Sequence, residues 1–180
     1  MNPGEFLTRW SAVLALSLYV LGLALRANAN GTRSKLTWAR TAWTVGCLLF
    51  LFHVACAFQF YHHWSHTAAY AATAERTAEL VGLAWGGGLY ANYAFTLLWV
   101  ADAIWWWCGL ERYETRSRVV NWAVHVFLGF MAFNGTVVFG TWTIRWLGVG
   151  ACVLLAAMWG LRACRSRRPP SLQSSPGPSS

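Results

Sequence analysis

Charge is what this 180-residue chain has least of. Only 11% of its residues are Asp, Glu, Lys or Arg, while 57% are hydrophobic. A soluble domain of this size carries about 25% charged and roughly 45–50% apolar residues. No charged residue occurs from Thr41 to Ala74. A soluble fold has nowhere to hide several uncharged runs long enough to cross a bilayer, about 20 residues each. These absences exclude a soluble globular class, and the length leaves no separate soluble domain.

Catalytic signatures are missing too. There is no G-x-S-x-G for a serine nucleophile, no H-E-x-x-H, no P-loop and no G-x-G-x-x-G. Gly86-Gly87-Gly88 lacks the rest of either phosphate-binding motif and reads as a hinge or helix start. Membrane di-iron hydroxylases and desaturases need several histidine boxes, whereas this chain has one cluster among five histidines. Cys47, Cys56, Cys108, Cys152 and Cys164 form no C-x-x-C, so neither a zinc ribbon nor a disulfide framework is supported. They read as small apolar packing residues. No internal repeat argues for an inverted-repeat transporter.

What is there is an all-α integral membrane protein. Five spans are expected within a bundle over 1–162, at Trp10–Leu25, Thr41–Tyr61, Leu89–Leu110, Val119–Gly140 and Ile144–Leu161. The first is a little short and extends past flanking arginines that snorkel to the interface. A cleaved signal peptide is its rival, since Ala27-Asn28-Ala29 resembles a cleavage site. Cleavage would leave Arg33, Lys35 and Arg40 outside, against the positive-inside rule. Asn30-Gly31 marks a turn after this span.

Between spans two and three, Thr67–Val81 is rich in Ala with Glu75 and Glu79, which favours a short helix on the outer face ending at Gly82. A tight outer turn joins spans four and five. Residues 163–180 form a basic, then Pro- and Ser-rich, disordered tail.

Net charge is +8. The basic residues sit in short segments beside apolar runs, which points to the positive-inside rule and anionic lipid rather than nucleic acid. Arg26, Arg33, Lys35, Arg40, Arg112, Arg116, Arg118 and the four arginines 162, 165, 167 and 168 fall on one side, and only Arg9, Arg76 and Arg145 on the other. The N-terminus is therefore outside and the C-terminus cytoplasmic, in a plasma (cytoplasmic) membrane. Trp105-Trp106-Trp107 marks the inner interface of span three.

Two groups of polar residues stand out. Asp102 and His125 lie at similar depth near the inner boundary and form an intramembrane polar pair, either as helix glue or as a proton relay. Asn121, His125, Gly129, Ala132 and Thr136 share one stripe of span four, marking a helix-facing surface. His53 lies near mid-bilayer as a core histidine. Its depth differs from that of His125, which disfavours haem held between them.

At the outer edge, His62 and His66 stand four apart, as do Glu75 and Glu79. The four would form a transition-metal site only if the chain bends between His63 and Thr67, with Ser65 as cap. Without that convergence they form an interfacial polar collar. The leading expectation is a non-enzymatic scaffold, subunit or accessory protein. Its partners are the lipid bilayer and other membrane proteins or itself. An outer-face metal-binding protein and a proton-linked channel or carrier are the alternatives.

Overall fold

The computed structural model describes residues 2–29, 32–138 and 142–166. The expected turn at Asn30-Gly31, the outer turn after Gly140 and residues 167–180 of the expected tail lie outside the described residues, while residues 163–166, expected to be disordered, continue the last helix.

Among the described residues the chain is all-helical, with no strand. Helix α1 (Pro3–Ala27) opens with Asn2 as cap and Pro3 in the first turn, where a missing N–H is harmless. Helix α2 (Arg33–Ala57) continues as one π-helical turn, Phe58–His62. Helix α3 (His66–Val81) starts at Ser65, whose hydroxyl accepts from Ala68 N at 3.2 Å, and stops at Gly82 with φ +73°. Helix α4 (Gly88–Cys108) breaks at Gly109 into the short α5 (Leu110–Glu114). Helix α6 (Arg118–Phe133) ends in a second π-helical turn, Asn134–Val138, and α7 covers Trp142–Ser166.

Three of these helices are long and apolar enough to cross a membrane: Pro3–Ala27, Arg33–His62 and Arg118–Val138. Helix α4 has the length, but its Tyr, Asn and Trp side chains and Asp102 lower its mean hydropathy. The apolar stretch of α7 is Ile144–Ala157.

Helices α1 and α2 form a tight antiparallel hairpin. A Cβ on Gly22 would lie 3.4 Å from Ala39 O, and one on Gly46 would lie 3.1 Å from Ala15 O. Small residues let the backbones approach this closely, which is how helices associate where lipid removes the hydrophobic drive. The aromatic core packs on this hairpin. Trp43 lies 5.1 Å from Tyr19 and 5.6 Å from Trp99, and Phe95 stands edge-on to Trp99 at 5.5 Å. Each such pair adds about 0.5–1.5 kcal/mol beyond area burial. Trp107 donates to Thr44 Oγ1 at 3.0 Å while Arg40 lies over its ring, fixing the end of α4 to α2.

The outer surface is apolar. Leu97, Val119, Trp122 and Val153 are each more than 60% exposed. A water-facing surface rarely exposes so many large apolar side chains, whereas a lipid-facing one does.

Candidate functional site

The densest polar chemistry gathers around Asp102, at the end of the bundle where α1, α4 and α6 meet the α5 segment. Asp102 sits in α4, seven residues before the break at Gly109. That break turns the chain so that α5 folds Tyr113 back against Trp106, with rings stacked at 4.5 Å. Tyr113 donates to Asp102 Oδ2 at 2.8 Å, and Arg116 forms a short ion pair with Oδ1. The Asp102 and Arg116 side chains are only 1% and 2% exposed. Both carboxylate oxygens are therefore satisfied, as a charge in an apolar setting requires. Burial, followed by the Asp102 carboxylate, pushes the Tyr113 hydroxyl well above its ordinary range, so it stays protonated and donates.

Asp102 and His125 are brought together through Arg116. Its Nη2 lies 3.2 Å from His125 Nε2, and Arg26 Nη1 lies 2.8 Å from the same nitrogen. A guanidinium only donates, so Nε2 accepts and the ring proton is assigned to Nδ1. Nδ1 is buried without a partner, and the ring stands at 88° to Trp43. Asn121 Oδ1 accepts from Arg116 Nη2 at 2.8 Å and from Arg26 Nη2 at 3.4 Å. Both guanidiniums also lie over the Tyr113 ring, at 4.1 and 4.8 Å. The result is a compact knot of two arginines, one carboxylate and three neutral acceptors joining α1, α4, α5 and α6.

His53 lies elsewhere. Its Nδ1 is 2.8 Å from Thr8 O, so it donates to that carbonyl. Thr8 and Arg26, the α1 partners of His53 and His125, are eighteen residues apart, about 27 Å along the helix. The two histidines are held near opposite ends of α1.

The outer bend is present. His63 and Trp64 have φ of 47° and 59°, and these two left-handed residues reverse the chain before Ser65 caps α3. The bend does not gather the four expected ligands. His66 Nδ1 pairs with Tyr93 OH at 3.1 Å, Glu79 pairs with Arg76 at 2.6 Å, and Glu75 is exposed on α3. Among the described residues no three His, Cys, Asp or Glu side chains group to hold a metal ion.

Two cavities flank the knot and the bend. A groove of about 770 Å³ runs between α1, α6 and α7, and Asn121, His125, Gly129, Ala132 and Thr136 all line it. The small-and-polar stripe of α6 and the turn after it thus borders a groove, with His125 packed on Trp43 and Thr136 close to Gly148 of α7. A second cavity of about 490 Å³ opens near the other end, lined by Arg9, His53, His62, Asn92 and Tyr93. The two share Val13, Leu16, Ala132 and Ile144, an apolar collar between them.

The sequence singles out Asp102, His125 and Asn121, whereas Arg26 and Arg116 enter it only as charges of one side and Tyr113 carries no signal. The available signal was the isolation of Asp102. A lone intramembrane carboxylate requires a cation, and the nearest arginines lie just beyond the helix ends on stems long enough to reach inward.

No protein family, curated protein or solved structure matches the chain.

Proposed function

We propose that the chain is a five-span, non-enzymatic membrane protein, with its N-terminus outside and C-terminus cytoplasmic, acting as a subunit or accessory partner of other membrane proteins. Crossing by α4 is supported by its 21-residue length and by Asp102 being its one charged residue, neutralised by Arg116. Crossing by α7 is supported by its 25-residue length and the apolar stretch Ile144–Ala157. The orientation is supported by eleven of fourteen basic residues falling at one end.

One observation carries the non-catalytic reading: Asp102 is consumed on both oxygens by Arg116 and Tyr113. A group held this way ties helices together and offers no free acid or base to a substrate. The specific observation favouring a carrier is the meeting of the two cavities at Val13, Leu16, Ala132 and Ile144. That collar is apolar, and hydrophobic constrictions of this kind close a path by dewetting.

Proton flux into liposomes containing the protein separates the two. The subunit reading expects flux equal to that of protein-free liposomes, for both the wild type and Asp102→Asn. Flux that depends on Asp102 would overturn it and establish the carrier.

A further inference from the structure

We propose that the groove between α1, α6 and α7 binds an anionic phospholipid, with acyl chain along α1 and α6 and phosphate at Arg26. The proposal rests on the membrane reading above.

Length supports it. The groove follows α1 from Val13 to Leu23, ten residues or about 15 Å, half of a ~30 Å hydrocarbon core. That is the depth of one leaflet. The space exists because Gly129 and Gly150 present no side chains to it. A Cβ on Gly129 would meet its nearest atom, Tyr19 OH, at 3.8 Å, and one on Gly150 would meet nothing within 4 Å.

Charge selects the headgroup. Arg26 lies one turn beyond Leu23, at the end of the groove marked by Asn121 and His125. Its side chain is 20% exposed against 2% for Arg116, making it the accessible cation of the knot. Its Nη atoms serve His125, Tyr113 and Asn121, and among the described residues its Nε makes no hydrogen bond. Its ion-pair partner, Glu114, is 3.5 Å away and 40% exposed. A lipid phosphate offers two free oxygens to the planar donor fork, as a carboxylate does. Basic residues clustered at this end add long-range attraction for anionic lipid.

The test uses the full chain, first checked for resistance to carbonate extraction from membranes. Release by carbonate would overturn the membrane reading itself, and the lipid proposal with it. For a chain that stays integral, native mass spectrometry of the detergent-purified protein reads retained lipid after titration with phosphatidylglycerol or phosphatidylcholine. One phosphatidylglycerol per chain is expected, with Arg26→Gln weakening its retention about fivefold, one basic residue's share. Gly150→Leu and Gly129→Leu, which fill the groove, should each abolish retention while helical circular dichroism is unchanged. Equal retention of phosphatidylcholine, undiminished lipid in both folded glycine variants, or a dimer that the glycine variants dissociate would overturn the proposal.

Discussion

At the scale of single residues, the polar knot shows why a membrane bundle tolerates an aspartate. An ionised carboxylate in hydrocarbon costs several kcal/mol unless paired. Asp102 has Arg116 and Tyr113 within bonding reach, and Arg116 has Asn121 and His125 to absorb its other donors. Breaking such a pair from one side costs about 3–5 kcal/mol, whereas replacing both partners by apolar groups is often neutral. Asp102→Leu and Arg116→Leu should each lower the thermal midpoint in detergent, and the double variant should recover most of the loss. Additive losses in that cycle would mean the two do not act as a unit. The sequence made Asp102 and His125 legible because ionisable groups inside apolar runs are conspicuous. Arg26, Arg116 and Tyr113 were not legible, because their neighbourhood in the chain is that of an ordinary interfacial loop. Only the break at Gly109 returns Tyr113 and Arg116 to Asp102.

At the scale of helices, the α1–α2 hairpin is the platform on which the aromatic core sits. Its closeness depends on Gly46, where a Cβ would lie 3.1 Å from Ala15 O, 3.2 Å from Leu18 Cβ and 3.2 Å from the Trp99 ring. Gly46→Leu forces a side chain into backbone and indole at once and should destabilise by about 1–3 kcal/mol, as overpacking does. Thermal unfolding monitored by Trp fluorescence would read this, and an unchanged midpoint would show that the hairpin is looser than described. Helix existence was legible from apolar runs, but helix ends were not. Helix α2 begins at Arg33, eight residues before the expected span, because a helix continues past the hydrocarbon wherever its next residues allow it. The outer bend was legible from Ser65 and the polar run before it. The direction of α3 after the bend was not. It is set by left-handed His63 and Trp64, a conformation that histidine adopts more often than most residues but that tryptophan does not advertise. That direction leaves Glu75 and Glu79 away from His62 and His66.

At the scale of the whole molecule, membrane character is written in composition, while the number of crossings is not. Three helices pass on length and hydropathy alone. The remaining two depend on how Trp and a paired Asp are weighed, since an indole at the interface and a neutralised carboxylate are far better tolerated than a sequence scale implies. The two counts disagree about the segment after α5. With an outside N-terminus, five crossings put the segment after α5 in the cytoplasm, beside Arg112, Arg116 and Arg118. Three crossings by α1, α2 and α6 put it outside. Thr115 is exposed in that segment, so Thr115→Cys in a chain without its other cysteines reports on it directly. Five crossings predict no labelling by a membrane-impermeant maleimide in intact cells and full labelling after the membrane is opened. Labelling in intact cells would contradict the account.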